Sequence, residues 1–284
     1  MNKIFTGSKK AVNFHITEIC NMRCKYCFAK YGLKEKTLSL QESLELIDQI
    51  SSAGCGKLTF VGGEPTLCPW LADMIKHAKS KGLTTMIVSN GTGLSDSFLY
   101  EMRGYLDWIG VSINSMNTNS LKNMGQQCED IAIDANFYHQ RVEKINSYGY
   151  KLKINTVVTA VNCNEDLSGF INFASPLRWK VLQVLPMFHS AKKFEIPAEK
   201  FTAFWQHHRS LVNTNISMVT ENVDALIDSY VMIDPLGRFI GNSDGTKYTY
   251  SGPILDIGIN QAFKQVTVSD EKMHQRGAVY NWSA

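Results

Sequence analysis

The 284-residue sequence has no long apolar run, little net charge and only seven prolines. No stretch approaches the ~18 apolar residues of a transmembrane helix, and residues 1–10 lack the apolar core of a secretory signal. A net charge of +3 is too small to indicate a nucleic-acid-binding surface unless the positive groups are gathered in one place. With 44% hydrophobic and 19% charged residues, the chain is neither disordered nor collagen-like nor a coiled coil. We expect a globular, cytoplasmic protein without nucleic-acid or membrane partners.

Cysteine is scarce, and its seven positions do not form the dense, even-numbered set of a small disulfide-rich domain. Three of them nevertheless crowd into Cys20-Asn-Met-Arg-Cys24-Lys-Tyr-Cys27, directly after the first predicted strand. Three thiolates on a short loop can bind three irons of a 4Fe–4S cluster and leave the fourth iron open. The alternative is a zinc site, which needs a fourth ligand such as His15 or a distant cysteine. The remaining thiols are predicted to be ordinary: Cys55, Cys68, Cys128 and Cys163.

Six β-rich segments alternate with segments of helical spacing along the first two thirds of the chain. The predicted strands are residues 12–17, 57–61, 84–89, 108–113, 151–158 and 179–185. The predicted helices between them are residues 39–53, 70–81, 95–102 and 131–148. This alternation is typical of βαβ units and a parallel sheet. Six units favour an α/β fold of the partial (β/α)6 TIM-like kind, open on one side, over a doubly wound sheet.

The pattern changes after about residue 186. A helix is predicted over residues 197–212 and a hairpin around residues 234–237, followed by a polar tail that contains glycine. We expect a core over residues 1–190 and an extension over residues 191–284 that caps the open side of the barrel. Because the sequence contains no repeat or low-complexity linker, one compact unit is expected.

A second motif, Gly62-Gly63-Glu64-Pro65, stands at the end of the second predicted strand. Paired glycines allow backbone to approach a ligand closely, and a carboxylate at this end of a strand can receive an ammonium group. Alone, the tetrapeptide is an ordinary turn. Together with the cysteine motif it resembles the radical S-adenosylmethionine (SAM) superfamily. The resemblance implies that the cysteines hold a 4Fe–4S cluster, that GGEP binds the methionine amino group, and that one electron converts SAM into a 5′-deoxyadenosyl radical.

The same resemblance implies further cofactor contacts. Tyr26 and Phe28, beside the last cysteine of the motif, are expected to lie against adenine, although either is equally explained as a core aromatic. Ser89, Ser112 and Asn114, at the ends of the third and fourth strands, are expected near the ribose and methionine of SAM, or else as strand-end caps. An external one-electron reductant of the flavodoxin or ferredoxin type is also implied.

Side chains alternate across a strand, so the polar face of each strand can be assigned to the barrel interior. Two neighbouring strands then present three cations to one cavity, and no acidic residue shares their inward positions. Buried cations need carboxylates or an anionic ligand, which favours a polyphosphate over solvated cations at a rim. His15 is explained equally well as a ligand or as a buried imidazole. The inward-facing residues predicted in this way are Asn13, His15, Thr17, Lys153, Asn155, Arg178 and Lys180.

Further motifs are spread along nearly the whole chain: VNFHITEICNMRCKYCF, KLTFVGGEP, IVSNG, KINTVV, PLRWKVLQVL, DSY at residues 228–230, PILDIGI and DEKMHQRG. Together they carry a closer resemblance, to the viperin family. It implies an enzyme of antiviral defence that abstracts the C4′ hydrogen of a nucleoside triphosphate and yields the 3′-deoxy-3′,4′-didehydro analogue. The resemblance further implies that Asn13, Lys153, Arg178 and Lys180 hold the triphosphate, and that Asn155 and a catalytic Tyr230 lie near the ribose and the radical.

The chain departs from the viperin pattern in three places. Residues 124–127 contain no cation where the pattern has an arginine, so one phosphate contact is expected to be missing or replaced by Gln126. Only about a dozen residues precede the first strand, which leaves no room for the membrane-binding helix of animal viperins and indicates a soluble, prokaryotic-type form. Residues 241–252 lack a close match and are expected to read the base, whose identity the sequence leaves open.

Two other interpretations remain open from the sequence. Another radical SAM enzyme, such as a molybdopterin-type cyclase or a peptide-modifying enzyme, usually has a second cysteine cluster near its C-terminus, whereas no cysteine follows Cys163 here. A non-catalytic iron–sulfur or zinc protein that binds a nucleotide as a signal is the other. We expect a monomer, and the sequence identifies neither the electron donor nor the base.

Overall fold

The computed structural model describes residues 4–33, 36–278 and 280–282, and its strands form a single sheet. The strands are β1 (Ala11–His15), β2 (Lys57–Val61), β3 (Thr84–Ser89), β4 (Trp108–Ser112), β5 (Lys151–Val158), β6 (Arg178–Gln183), β7 (Ser217–Glu221), β8 (Val231–Ile233), β9 (Phe239–Gly241) and β10 (Thr249–Tyr250). All six predicted strands are present. The four from β7 to β10 come from the C-terminal third of the chain.

Helices lie between and after the strands. They are α1 (Leu40–Ser52), α2 (Leu71–Ser80), α3 (Asp96–Glu101), α4 (Thr118–Met124), α5 (Ala135–Ser147), α6 (Ser168–Ala174), α7 (His189–Lys192), α8 (Ala198–Leu211), α9 (Val223–Leu226), α10 (Ile254–Ile257), α11 (Ile259–Phe263) and α12 (Asp270–Gln275). Helix α5 begins later than predicted because the Asp134 carboxylate caps it by accepting the N–H of Phe137 at 2.8 Å. None of the described helices is both long and apolar enough to cross a membrane.

Eight neighbouring strands run parallel in the order β8-β1-β2-β3-β4-β5-β6-β7, and β9 and β10 continue antiparallel beyond β8. Strand β7 pairs with β6, and β8 pairs with β1, so the C-terminal third lengthens both edges of the sheet. No described residues of β7 and β8 pair with each other, and the barrel stays open between them. The predicted hairpin is the turn between β8 and β9, where Asp234 N–H donates to the Arg238 carbonyl at 2.8 Å.

The strands have the predicted alternation. On the outward face, Val12 and Phe14 of β1 and Leu152 and Ile154 of β5 are buried in the hydrophobic core beneath the helices. Burying side chains of this size contributes roughly 1.5–3 kcal/mol each to folding. The opposite face of the same strands carries the polar residues, which therefore meet inside the barrel. The division of the chain at residue 190 remains a prediction.

Candidate functional site

The three clustered cysteines lie on a loop, residues 16–39, whose described residues form neither helix nor strand. The Glu18 carboxylate fixes this loop by accepting backbone N–H groups from residues 31 to 33, two of them at 2.8 Å. A further backbone bond, from Lys25 N–H to the Met124 carbonyl at 2.9 Å, ties the loop to the end of α4. Within it, Cys20 is exposed and the other two cysteines are half-buried. The loop therefore presents its thiols at the carboxyl end of β1.

The surroundings of the thiols fit an iron–sulfur cluster. The Met22 N–H points at the Cys20 Sγ from 3.4 Å, and the Asn90 amide lies 4.0 Å from the same sulfur. Such N–H donors are typical partners of cluster-ligating sulfur. Burial raises the pKa of Cys20 to about 11 and raises the pKa values of Cys24 and Cys27 as well. The positive charge of iron is what would favour their thiolate forms.

A zinc site is not supported. Among the described residues, no three His, Cys, Asp or Glu side chains converge on one ion. His15 belongs to no such group among the described residues, and its Nδ1 is bonded to the Tyr31 hydroxyl at 2.8 Å. The three thiolates of a 4Fe–4S cluster each bind a different iron, so they need not converge on a single point. The arrangement therefore fits the cluster better than one tetrahedral ion.

The glycines of the GGEP motif make close contact with the cysteine loop. A Cβ added to Gly62 would lie 2.5 Å from the Thr17 carbonyl oxygen, and one added to Gly63 would overlap the Ile19 carbonyl oxygen. The N–H of Gly63 donates to Thr17 and the N–H of Glu64 donates to Ile19, both at 2.8 Å. The sequence predicts that these glycines admit a ligand, whereas the backbone that they admit is the cysteine loop itself. The motif thereby sets the position of the cysteines. Pro65 then starts a short 3-10 turn.

The Glu64 carboxylate is fully buried and connects this turn to the end of β3. Its Oε1 accepts the Ser89 hydroxyl at 2.8 Å and the Thr66 hydroxyl at 2.6 Å, and its Oε2 accepts the Asn90 N–H at 2.7 Å. Burial raises the pKa of Glu64, and it outweighs these hydrogen bonds, which lower that pKa. Each carboxylate oxygen has two acceptor positions, so Oε2 retains one for a further donor. Glu64 and Ser89, both predicted at the cofactor, are thus brought together, and their cofactor role stays a prediction.

A buried polar network occupies the ends of β4 and β5. The Asn114 amide donates to the Tyr26 hydroxyl at 2.5 Å and to the Gln126 side-chain oxygen at 2.9 Å, while its own oxygen accepts a backbone N–H of β5. Gln126 in turn donates to the Ser112 carbonyl and to the Tyr138 hydroxyl. Asn114 therefore reaches the cofactor region through Tyr26. Gln126 is 1% exposed and its amide is used within this network, so it does not replace the missing arginine.

Aromatic side chains surround His15 at the carboxyl end of β1. Phe28 is 44% exposed, and its ring stands edge-on to the His15 ring at 6.1 Å. Tyr248 comes from the segment without a family match; its hydroxyl donates to the Phe28 carbonyl at 2.9 Å and its ring lies 5.6 Å from that of Tyr31. Burial lowers the pKa of His15 to about 3, so its imidazole is neutral. Residues 241–252 therefore reach the mouth of the barrel.

Five cations lie close together within the barrel, namely Lys57, Lys153, Arg178, Lys180 and Arg276. Strand register pairs Lys153 with Arg178 and, one inward position further along, Asn155 with Lys180. Burial, reinforced by neighbouring cations, lowers the pKa of Lys57 to about 7 and places that of Lys153 well below its usual value. Sequence reasoning missed two of these cations. Lys57 has the inward parity of β2 and alternation could have found it, whereas Arg276 follows α12 in the tail and had no such signal.

One carboxylate lies among these cations. No acid occupies the inward positions of β5 and β6, as predicted, but β7 adds Glu221, whose Oε1 is 2.6 Å from the Lys180 Nζ and 3.4 Å from an Arg276 nitrogen. The Tyr230 hydroxyl donates to Glu221 and accepts from Lys180. Burial alone would raise the pKa of Glu221, but the two cations outweigh it and lower that pKa. Lys180 therefore has a carboxylate partner, which comes from a strand that the sequence pattern did not predict.

The C-terminal segment closes the amino end of the barrel with neutral groups. The Lys57 Nζ donates to the Tyr280 hydroxyl at 2.8 Å, and an Arg178 nitrogen donates to the Gly277 carbonyl at 2.6 Å. The Tyr280 ring also lies 4.2 Å from the Arg178 guanidinium. Further along, the Asn155 side-chain oxygen is buried without a hydrogen-bond partner in the described part of the chain. Asn13 lies on the same inward face, in register with β2 and β8.

Comparison with known proteins identifies the family of this chain and its relatives. Residues 14–174 match the model of a family described as the radical SAM superfamily. The chain is 42% identical to an S-adenosylmethionine-dependent nucleotide dehydratase of Flammeovirga pacifica, over 99% of this chain and 100% of that relative. It is 44% identical to a protein of the same name from Lacinutrix mariniflava, over 96% of this chain but only 59% of that relative's length.

Among solved structures, the fold is similar to that of native anSMEcpe with bound AdoMet and Kp18Cys peptide. The TM-score is 0.69 at 15% identity, over 93% of this chain and 82% of that chain. The structural match and the family match together confirm the predicted fold class. The family match also confirms the predicted cofactor pair, a 4Fe–4S cluster and SAM.

Proposed function

Since the chain belongs to the radical SAM superfamily and, within it, to the S-adenosylmethionine-dependent nucleotide dehydratases, we propose that it removes water from the ribose of a nucleoside triphosphate. The product is the 3′-deoxy-3′,4′-didehydro nucleotide, a chain terminator suited to antiviral defence. One observation carries the choice of a triphosphate: of the five cations within the barrel, only Lys180 and Arg276 contact a carboxylate among the described residues, and it is the same one, Glu221.

The triphosphate is assigned to the amino end of the barrel interior. Lys57, Lys153 and Arg178 lie there without a carboxylate partner among the described residues, and Lys180 lies one inward position above them. A triphosphate near pH 7 carries about four negative charges, since a terminal phosphate has its second pKa near 6. Charge-assisted hydrogen bonds contribute roughly 1.5–3 kcal/mol each. Removing two phosphates therefore costs several kcal/mol of binding, and the monophosphate is not a substrate. Asn13 completes this proposed set.

The ribose is assigned to the level of Asn155 and Lys180. The buried, unpartnered oxygen of Asn155 is an acceptor that a ribose hydroxyl satisfies. Lys180 pairs with Asn155 in register, and the Tyr230 hydroxyl contacts Lys180, so both groups lie beside the same part of the substrate. Burial lowers the pKa of Lys180 to about 8, which brings its ammonium near the range in which it can donate a proton.

The cofactors are assigned to the opposite, carboxyl end of the barrel. Cys20, Cys24 and Cys27 hold the cluster, the free acceptor position of Glu64 fits the methionine ammonium, and the exposed ring of Phe28 offers a flat apolar surface for adenine. When bound, the cluster and SAM supply the 5′-deoxyadenosyl radical that takes the C4′ hydrogen. Expelling the 3′-hydroxyl as water then consumes one electron and one proton. The enzyme consequently needs an external one-electron carrier, which we assign to the flavodoxin or ferredoxin type.

The base is assigned to the mouth of the barrel. His15, Tyr31 and Tyr248 form an aromatic wall there, and Tyr248 belongs to residues 241–252. Neutral His15 and the two tyrosine hydroxyls can donate or accept hydrogen bonds, which suits recognition of a base edge rather than of a charged group.

The decisive experiment incubates the anaerobically reconstituted protein with SAM, a reductant and each of the four ribonucleoside triphosphates. The expected result is nucleotide-stimulated 5′-deoxyadenosine together with a nucleotide that has lost water, detected by mass spectrometry. With substrate deuterated at C4′, the label should pass into 5′-deoxyadenosine. Transfer of label from another ribose carbon would contradict the dehydratase assignment. An absence of reductive SAM cleavage would instead favour a non-catalytic nucleotide-binding protein.

A further inference from the structure

Glu221 is the one described carboxylate bonded to the cations of the barrel interior. It is fully buried, and both of its oxygens are used. Oε1 faces Lys180 at 2.6 Å and Arg276 at 3.4 Å, while Oε2 accepts the proton of the Tyr230 hydroxyl. The Lys180 ammonium donates to the oxygen of that same hydroxyl, so the three side chains form a closed triangle.

A carboxylate at this position is unfavourable for binding a polyphosphate. Lys180 stands directly above Arg178 and Lys153, which line the assigned triphosphate site, and a negative charge beside it opposes the charge of the ligand. An uncharged hydrogen-bonding residue such as glutamine would avoid this repulsion. The presence of Glu221 is therefore not explained by nucleotide affinity.

The geometry around Tyr230 supplies another reason. Its ring is held by Arg276, whose guanidinium lies 3.7 Å from the ring centroid and whose Nε donates to the Ser229 carbonyl at 2.7 Å. The ring contact fixes the plane of the tyrosine, but it does not determine where the hydroxyl proton points. Glu221 determines that, because an ionised carboxylate can only accept hydrogen bonds. The phenol proton is thereby directed away from Lys180, and the phenol oxygen faces the ammonium.

We propose that Glu221 is a positioning residue that holds the Tyr230 hydroxyl and the Lys180 ammonium together at the ribose, and that it does so at the expense of triphosphate affinity. The inference rests on the proposed function, since it takes the triphosphate and ribose sites from there. It deepens that function by separating the interior cations into two sets. Lys57, Lys153 and Arg178 have no carboxylate partner among the described residues and are left to the phosphates, whereas Lys180 and Arg276 share Glu221 and organise the reacting end.

The test compares Glu221→Gln with the wild type in two measurements. Glutamine keeps the shape and the hydrogen-bonding ability of the side chain but removes its charge. Anaerobic calorimetry with inorganic triphosphate is expected to show binding at least ten-fold tighter in Glu221→Gln. Formation of dehydrated nucleotide at saturating substrate is expected to fall at least ten-fold. A residue that only supports the fold would lose both properties together, so opposite changes identify the positioning role.

Glu101→Gln is the matched control, because it removes the same charge from an exposed ion pair with Lys76 on the outer surface. It is expected to change neither quantity. Triphosphate binding by Glu221→Gln that is equal to or weaker than wild type would overturn the proposal, and so would wild-type turnover in that variant.

Tyr230→Phe keeps the inference testable if Glu221→Gln does not fold. This variant removes the hydroxyl without changing any charge, so its affinity for inorganic triphosphate is expected to stay within about two-fold of wild type while turnover falls at least ten-fold. Undiminished turnover in Tyr230→Phe would overturn the proposal. The calorimetric arm requires no catalysis. If wild type binds inorganic triphosphate but dehydrates no nucleotide, the proposed function fails, whereas the electrostatic effect of Glu221 is still measured.

Discussion

Replacing Lys57 by methionine is expected to stabilise the nucleotide-free protein and, at the same time, to weaken triphosphate binding. Lys57 is 5% exposed, and the described residues place only neutral groups at its ammonium, namely the Tyr280 hydroxyl at 2.8 Å, the rings of Tyr280 and Trp282, and the Met86 sulfur. Methionine is of similar length and fills the same space without a charge. The substitution therefore separates the electrostatic role of the residue from its packing role.

The size of the effect follows from the pKa. Burial, with added repulsion from Lys180 and Arg178, lowers the pKa of Lys57 from 10.5 to about 7. Because the folded protein binds this proton less tightly than the unfolded chain does, Lys57 destabilises the fold at every pH below about 10.5. The destabilisation grows as the pH falls and reaches its full size below about pH 7. Integration gives about 4 kcal/mol at pH 7 and about 1 kcal/mol at pH 9.5.

Urea denaturation of the cluster-loaded protein at pH 7 and at pH 9.5 measures this difference. Lys57→Met is expected to be more stable than wild type at both pH values, with the larger gain at pH 7. Triphosphate affinity at pH 7 is expected to fall ten-fold or more. Lys151→Met is a suitable control, because Lys151 lies at the rim of the barrel with a half-buried side chain. A destabilised Lys57→Met protein, or a gain that increases with pH, would refute the reasoning.

Three further outcomes test the site and the fold. Iron analysis after anaerobic reconstitution should show loss of the cluster in Cys24→Ala. Cys55→Ala should keep it, since the Cys55 thiol is buried against backbone carbonyls. Full loading of Cys24→Ala would contradict the ligand assignment. Lys180→Ala should weaken triphosphate binding ten-fold or more, about 1.4 kcal/mol, because it removes a cation and leaves Glu221 less neutralised. SAM binding should be unchanged. Equal stimulation of 5′-deoxyadenosine formation by mono-, di- and triphosphates in wild type would contradict the phosphate assignment. Phe14→Ala should lower the free energy of unfolding by about 3–5 kcal/mol in urea denaturation, since Phe14 is 1% exposed in the core; a loss below about 1 kcal/mol would mean that β1 does not pack there.

The inward face of β5 and β6 could be predicted because alternation is strict along these strands. Lys153, Asn155, Arg178 and Lys180 all have the same parity, and the residues between them are apolar. In a parallel sheet, neighbouring strands share an inside, so parity on each strand is enough to bring the four side chains to one cavity. The cysteine motif was predictable for a different reason, since its spacing is local and depends on no distant contact.

Glu221 could not be found in the same way. Strand β7 is only five residues long, and both of its faces mix polar and apolar residues: Ser217, Val219 and Glu221 face inward, Met218 and Thr220 outward, so alternation does not distinguish them. Its place beside β6 depends on α8, which separates the two strands in sequence. Tyr230 precedes β8, a strand of three residues that pairs with β1 from the far end of the chain. Contacts between such distant segments have no local sequence signal.

The roles of individual polar residues could not be predicted either, because a hydrogen bond depends on the direction of the side chain and a sequence pattern does not give that direction. Glu64 and Asn114 stand at strand ends, where a ligand contact is the natural expectation, yet most of their donor and acceptor positions are taken by other protein groups. Gln126 lies in the segment, residues 124–127, that has no cation where the viperin pattern has an arginine, and its amide is bonded within the buried network with Tyr138. The sequence identifies the position of such a residue without identifying which way its side chain faces.

The distribution of partners around the interior cations has a consequence for how the pocket is held together. Lys57 and Arg178 are bonded to a tyrosine hydroxyl and a backbone carbonyl, which satisfy their donors without cancelling their charge. A carboxylate in either place would stabilise the nucleotide-free fold more, but it would also repel the phosphates. The one carboxylate present contacts Lys180 and Arg276, at the end of the pocket where orientation of Tyr230 matters more than net charge. The pocket is therefore less stable than it could be where it binds the anion, and it is neutralised where it positions the groups beside the ribose.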